Sequence, residues 1–522
     1  MSDAREVMTA DQRLLDRAAA LKPALHKSVR RPKSEVHVVE DAAAWQGWRC
    51  ESIGPASVVA SRALGRGDAV TFDFGDHAVG RLRVKLAMDG RCWDAPARLR
   101  FVFAEVPLEL GAPWEPYTGG LGRGWLQDEV VTLDALPELL ELPRRYAFSY
   151  VRIEVVDTSP AYKIRIADIW LEETGGDLTP ITPDTSLPPD LAAIDAVARR
   201  TLRNCLHTVF EDGPKRDRRL WVGDLRLQAL ADAVTFNRAD VVARCLYLLG
   251  AYQRKSDGLL GVCVYEDPLP DDIFALDYNA LYVAALRDHA LRPGQLQVAK
   301  DLYPVAKAQL DALLAVRTDG ILDHTKAPGG WLFIDWCAKL ERRAAAHACL
   351  IVGLRAGAEL AQRLEHSADA SRFASEAEAA TAAARRWLSK DGLIIEDAQI
   401  SWATQAWMII AGVLSPEEGR RAFSALATRK DAVQPVSPYC WHHVVHAYLI
   451  AGMDAEALAL IRRYWGAMVK AGYSTFPEVF DPSEPLLSPY GTALLNSSCH
   501  AWSCTPTWFL RVYRERLLKA EN

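Results

Sequence analysis

A chain of 522 residues, half of them hydrophobic and a quarter charged, is long enough for two or more cores and too apolar for general disorder. Its formal net charge of -6, from 61 Lys and Arg against 67 Asp and Glu, argues against a polyanion as the main ligand, because nucleic-acid binders carry a basic face. No nucleic-acid partner is expected, and a neutral ligand fits better.

Residues 1–35 begin as MSDAREVMTADQRLLDRAAALKPALHK, a charged, amphipathic run that predicts a helical extension and lacks the apolar core of a signal peptide. No later stretch has membrane-spanning length, so the expectation is a soluble, cytoplasmic protein without a membrane partner. The ten cysteines are scattered, without CxxC pairs or zinc-like His spacings, which predicts reduced thiols and neither structural disulfide, metal nor cofactor.

From residue 36 to 174 the pattern is strand-like. VTFDFG at Val70–Gly75, RLRVKLAM at Arg81–Met88, RLRFVFAEV at Arg98–Val106, FSYVRIEVV at Phe148–Val156 and KIRIADIWLEE at Lys163–Glu173 alternate apolar with polar residues. Short strands separated by Gly, Asp and Pro predict an antiparallel β-sandwich. Such a domain either binds carbohydrate or buttresses its neighbour. Residues 175–190, GGDLTPITPDTSLPPD, contain four prolines and little periodicity, so they are expected to be a linker.

Residues 191–522 change to a helical period. Apolar residues recur every three or four positions in twelve segments, from Leu191–Phe210 and Leu225–Phe236 through Tyr278–His289 and Ala338–Gln362 to Cys440–Ala451 and Ala501–Leu517. Short connectors alternate with long, aromatic-rich loops at 254–277, 317–337, 389–401 and 473–500. That alternation describes helical hairpins arranged in a ring with the long loops at one mouth; an open solenoid would need a constant repeat, and none is visible.

The loops bring a surplus of carboxylate and indole over lysine: Tyr265, Glu266, Asp271, Asp272 and Asp277, then Trp331, Asp335 and Trp336, then Trp402, Tyr439, Trp441, His442, Glu478, Asp481 and His500. Indole faces suit the CH-rich faces of sugar rings, and carboxylates suit hydroxyl donors. The densest stretch is DGPKRDRRLWVGD, Asp212 to Asp224. Arg216, Arg218 and Arg219 could pair with Asp212, Asp217 and Asp224 as a solvated ion network, or the set could hold a sugar stacked on Trp221. For Asp217 to act as an acid among cations, burial must oppose their charge. In GYSTFPEVFDP, Glu478 follows Pro477 in an apolar setting that would desolvate a carboxylate, as a general base needs; it could equally cap a turn or pair with an arginine.

With those residues in view, the helical half resembles glycoside hydrolase family 78, the α-L-rhamnosidases of the six-hairpin (α/α)6-barrel group. DGPKRDRRLWVGD is similar to that family's catalytic loop, with Asp212, Asp217 and Asp224 on its three acidic positions. SPYCWHHVVHAYLIAG, RRYWGAMVKAGYSTFPEVFDP and SSCHAWSCTPTWFL are similar to later motifs, where Glu478 matches the general base and His500 a pocket histidine. TFDFGDHAVGRLRV resembles a strand pair of the preceding β-domain. The likeness covers most of residues 65–515. It implies a multidomain β plus α fold, an antiparallel β-sandwich followed by an (α/α)6 barrel. It also implies removal of a terminal α-L-rhamnosyl residue from a small glycoside with inversion. Asp217 would then be the acid and Glu478 the base, and Asp212, Arg216, Trp221, Asp224, Asp277, Trp331, Asp335, Trp336, Trp441 and His500 would hold the sugar. Two departures stand out: position 217 is Asp where better-known members have Glu, and the chain is too short for their extra β-domains. The alternatives are an exo-glycosidase for a uronyl or arabinosyl residue, with Arg218 or Arg219 facing a uronate, and a non-catalytic saccharide-binding protein.

Overall fold

The computed structural model describes residues 7–265 and 269–520. Among the described residues, the ten strands and fourteen helices named below carry the architecture, with further short strands and turns between them. The N-terminal segment is not one helical extension. It holds a strand β1 (Met8–Ala10), a helix α1 (Gln12–Ala20) capped by the Asp11 carboxylate, and a strand β2 (His26–Arg30). The run KPALHK ends the helix because its proline removes a backbone donor, and β1 pairs with Tyr252–Arg254 of the helical half.

Strands β2 to β10 form one antiparallel, nine-stranded sheet: β3 (Ser34–Glu40), β4 (Trp48–Pro55), β5 (Ala69–Gly90), β6 (Ala97–Ala104), β7 (Asp128–Leu133), β8 (Glu138–Glu141), β9 (Tyr146–Asp157) and β10 (Tyr162–Gly175). The two predicted strands at 70–75 and 81–88 are one 22-residue strand bent in its middle. At the bend Gly75 has φ +85°, and the register with β9 shifts between Asp73 and Ala78. The first half of β5 pairs with β9 and β3, the second with β10 and β8, so the sheet curls around a core including Phe72, Phe74, Phe101, Phe148 and Ile153.

After the proline-rich stretch come α2 (Pro189–Cys205), α3 (Val222–Ala233), α4 (Ala239–Gly250), α5 (Leu276–Ala290), α6 (Leu296–Ala315), α7 (Arg343–Arg363), α8 (Ser367–Ala384), α9 (Trp402–Ile410), α10 (Pro416–Leu426), α11 (Pro438–Ile450), α12 (Asp454–Lys470), α13 (Pro506–Val512) and α14 (Arg514–Lys519). All twelve predicted helical segments contain a helix. The first stops at Cys205 rather than Phe210. The last is broken, because Pro506 has no N–H to continue a helix and instead starts a new one.

Alternate helices differ in burial, which their sequences explain. Nearly all of α5 is buried, matching the apolar and small residues that fill most of its central turns, whereas α8 and α10 bury one face only. The fully buried type pack side by side: α3 on α5, α5 on α7, α7 on α9 and α9 on α11. The short turn Ala501–Cys504 touches both α11 and α3. By length and apolarity α7 could cross a membrane, yet most of it lies inside this helical core.

The two halves meet through buried polar groups. Arg145 Nη2 lies 2.7 Å from Glu211 Oε1, and Lys215 Nζ lies 3.0 Å from Glu109 Oε1. Trp45 stacks on Phe480 at 5.0 Å.

Candidate active site

Asp212 templates the loop that carries Asp217. Its Oδ1 accepts from the N–H groups of Gly213 (2.7 Å) and Arg219 (3.0 Å), and its Oδ2 from the N–H of Asp217 (3.2 Å). Burial and then the charge of Asp217 push the Asp212 carboxyl up to about 7, against the opposing pull of His500. Gly213 is required by close approach: a Cβ there would meet Ser497 Oγ at 2.4 Å and Arg216 O at 2.6 Å.

Arg216 spans the cavity. Its Nη1 donates to Leu495 O at 3.0 Å, and its guanidinium lies over the rings of Tyr490 (4.1 Å) and Trp125 (5.1 Å). From that position Nη2 sits 2.8 Å from Asp217 Oδ1, and Nη1 sits 3.9 Å from Glu478 Oε2. Burial works against its charge, but Tyr490, Glu478 and Asp217 outweigh that and raise its pKa further.

Glu478 faces Asp217 across this guanidinium. Its N–H donates to Ser497 O at 2.9 Å, its Oε1 accepts from Trp336 Nε1 at 3.1 Å and from the Tyr490 hydroxyl, and Trp502 Nε1 donates to its carbonyl at 3.1 Å. The carboxylate is thus aimed by two donors and is only 3% exposed.

Deeper in, His500 Nε2 lies 3.1 Å from Asp224 Oδ1. Asp224 is in the first turn of α3, where the helix dipole favours an anion, and burial still raises its pKa. Burial would discharge His500, but the Asp224 hydrogen bond and the charge of Glu478 raise it to about 9. At the rim, Trp221 sits where Leu220–Trp221 pairs with Cys263–Val264, and Trp331 where Gly330–Trp331 runs parallel to Phe274–Ala275. Arg219 stacks on Tyr265 at 4.2 Å and lies 3.4 Å from Asp271.

These groups enclose a cavity of about 250 Å³ lined by Asp212, Arg216, Asp217, Arg219, Trp221, Asp224, Ile273, Tyr278, Trp331, Phe333, Trp336, Glu478, Tyr490, His500 and Trp502. Within the protein, Asp217 Oδ1, Arg216 Nε, Arg219 Nε and His500 Nδ1 are buried without a hydrogen-bond partner, although Asp217 Oδ1 is close to Arg216. A ligand rich in hydroxyls could satisfy both the acceptor and the donors. Among the described residues, no three His, Cys, Asp or Glu converge as a metal site would require.

Three of the residues assigned to sugar holding lie elsewhere. Asp277 accepts from the N–H groups of Phe333 (3.2 Å) and Ile334 (3.0 Å) and is fully buried. Asp335 accepts from the N–H groups of Val436 (3.0 Å) and Ser437 (3.1 Å) and from the Ser437 hydroxyl, so it ties a loop to the start of α11. Both carboxylates satisfy backbone donors instead of facing a ligand. Trp441 lines a separate groove with Trp402 and Asp481. Tyr439 and His442 are buried in aromatic packing, Asp272 lies off the cavity wall, and Glu266 lies outside the described residues. Arg218 turns away, donating to Pro214 O (2.8 Å) and Arg145 O (2.5 Å). Sequence reasoning missed Tyr490, Trp502, Tyr278, Phe333 and, from the β-rich half, Trp125 over the two arginines. Trp502 lay in the singled-out motif SSCHAWSCTPTWFL, and Phe333 between Trp331 and Asp335 in GGWLFIDW.

Two facing carboxylates amid indoles and arginines are the equipment of a glycoside hydrolase. The comparisons agree. The glycosyl hydrolase family 78 alpha-rhamnosidase N-terminal domain matches residues 32–173, and the bacterial alpha-L-rhamnosidase 6 hairpin glycosidase domain matches residues 185–513. The chain belongs to this family and is a glycosidase of the α-L-rhamnosidase type. A rhamnosidase from Klebsiella oxytoca, solved with rhamnose bound, is 40% identical with a TM-score of 0.93, covering 97% of this chain and 100% of that one. A family 78 rhamnosidase of Bacillus sp. GL1 is 20% identical (TM-score 0.72; 89% of this chain, 49% of that one). The Streptomyces avermitilis α-L-rhamnosidase, complexed with L-rhamnose, is 17% identical (TM-score 0.68; 94% and 44%). These two share the fold with a chain about half their length. No curated protein matched the sequence.

Proposed function

We propose that the chain removes a terminal α-L-rhamnosyl residue from a small glycoside by inversion, in an (α/α)6 barrel that follows a β-sandwich. The observation that carries the mechanism is the Arg216 guanidinium in contact with both carboxylates. The facing oxygens of Asp217 and Glu478 cannot be further apart than roughly 9 Å, the reach of one planar guanidinium with a contact at each end. That limit is compatible with the spacing of about 6.5–9.5 Å that leaves room for an attacking water.

In this reading Asp217 protonates the leaving oxygen, and its shorter arm is compensated by the tight turn that Asp212 holds. Glu478, oriented by Trp336 and Tyr490, takes the proton of the water attacking the opposite face of the ring. Arg216 Nη1, 3.9 Å away, gives the Glu478 carboxylate a cationic neighbour on its Oε2 side. Asp224, His500 and Arg219 receive the sugar hydroxyls, while Trp221, Trp331 and Trp502 cover its apolar faces. A cavity of about 250 Å³ suits one pyranose better than a polymer segment. A uronate is disfavoured because Arg218 faces away and Arg219 is already beside Asp217 and Asp271.

The test is hydrolysis of p-nitrophenyl α-L-rhamnopyranoside followed by proton NMR. Inversion predicts β-L-rhamnose as the first-formed anomer. Asp217→Asn and Glu478→Gln should each lower kcat by roughly 10²–10⁴-fold. First appearance of the α-anomer would reject inversion, and full activity in either variant would reject the assignment.

A further inference from the structure

Glu105 lies just beyond the end of β6 in the β-rich half, and its side chain is shut off from solvent. A carboxylate buried this way persists only if it is fully paired, and its partners are informative. Oε1 lies 2.9 Å from His77 Nε2, while Oε2 accepts from the N–H of Ser498 at 2.6 Å. The same Oε2 is 3.8 Å from Lys215 Nζ, a fully buried ammonium that Glu109 holds at 3.0 Å.

Two of those partners belong to the reacting loops. Lys215 is two residues before Asp217. Ser498 follows Ser497, whose carbonyl receives the N–H of Glu478 at 2.9 Å, and His500 N–H returns to Phe476 O at 2.8 Å. The segments bearing Glu478 and His500 are therefore stitched together, and Glu105 grips the second of them. Simple adhesion of the two halves needs none of this, since Arg145 with Glu211 and Trp45 with Phe480 already join them elsewhere.

We propose that Glu105 is a positioning residue that sets the spacing of Asp217 and Glu478 from the neighbouring domain, through Lys215 on one side and Ser498 on the other. It touches no substrate. The idea rests on the acid and base roles proposed above, and it divides them: the charge of Glu105 governs the acid loop, whereas its acceptor oxygen governs the base loop.

That division can be read with two leaving groups. Methyl α-L-rhamnoside needs its leaving oxygen protonated, and 2,4-dinitrophenyl α-L-rhamnoside scarcely does. Glu105→Gln keeps an acceptor for Ser498 but removes the charge facing Lys215. It should lower kcat on the methyl glycoside roughly tenfold or more, as a displaced catalytic group does. On the dinitrophenyl glycoside the loss should stay below about threefold, with KM nearly unchanged on both. Lys215→Gln, which also disturbs the ammonium's bonds to Leu494 O (3.2 Å) and Asn496 O (2.9 Å) beside Ser497, should lose activity on both substrates. Glu105→Ala, which also releases Ser498, should lose activity on both substrates, and Glu105→Asp should recover part of it.

Asp217→Asn is the reference. If it shows leaving-group selectivity and Glu105→Gln does not, or loses both activities equally, positioning by Glu105 is overturned while the acid assignment stands. If Asp217→Asn itself shows no selectivity, the acid assignment fails and this proposal falls with it. Melting temperatures of each variant separate a lost fold, which affects both substrates alike, from the selective loss.

Discussion

His500 and Asp224 show how a buried pair turns into a pH dependence. The histidine is raised from its ordinary 6.5 to about 9 in the folded chain. Its contribution to stability is therefore complete below pH 6.5 and fades as pH rises through about 9, at on the order of 3 kcal/mol for a shift of this size. The gap in melting temperature between the unsubstituted protein and His500→Gln should be widest near pH 6 and narrow steadily towards pH 9.5; a gap that widens with pH would contradict the pairing. At this scale the sequence was a partial guide. DGPKRDRRLWVGD concentrated its chemistry in one turn and could be recognised, but Asp277 and Asp335 looked like ligand carboxylates. An acidic residue at a loop–helix junction reads the same whether it meets a sugar or a backbone N–H. Tyr490 and Trp125 gave no signal, because their importance comes from the guanidiniums they cover.

Among the elements, the start of α11 illustrates the same confusion resolved. Ser437 caps the helix through its hydroxyl on the Cys440 N–H, and Asp335 receives both the hydroxyl and the N–H of Ser437. Asp335→Ala leaves several donors buried and unpaired, so it should destabilise the protein by about 3 kcal/mol. Its effect on KM should be slight, which kinetics alongside denaturant titration would reveal; a KM rise without lost stability would return Asp335 to the substrate. By contrast, Ser415 and Glu418 form a reciprocal cap on α10, and neither lines the cavity. Ser415→Ala should cost about 1 kcal/mol and leave kcat/KM alone. Helices were legible because their period is long and repeated. Strands β1, β2, β3, β4, β7 and β8 were not named, since most of them, like HKSVR, bury little and leave no clear alternation to read, and Gly75 split β5 into two apparent strands.

For the molecule as a whole, the ionic contacts buried between the halves predict joint melting. With Lys215, Glu105, Glu109, His77, Arg145 and Glu211 sequestered there, separation would strand charges in each half until water reached them. Calorimetry should therefore record one transition, and two resolved peaks would mean that the seam couples the halves only weakly. The order of domains along the chain could be read from the switch of period near residue 175. How the halves dock could not, because Trp45, Glu105 and Trp125 meet the helical half only through contacts between residues far apart in the chain.

The start of the described chain adds a mechanical consequence. Because β1 zips onto Tyr252–Arg254 and Arg244 donates to Ala18 O before the chain enters the sheet, the β-rich half is moored to the helical half at both of its ends. A body tied at two points cannot swing like a door on one pin. Severing the first mooring would leave that half held by the chain at its other end and by the buried pairs Arg145–Glu211 and Lys215–Glu109.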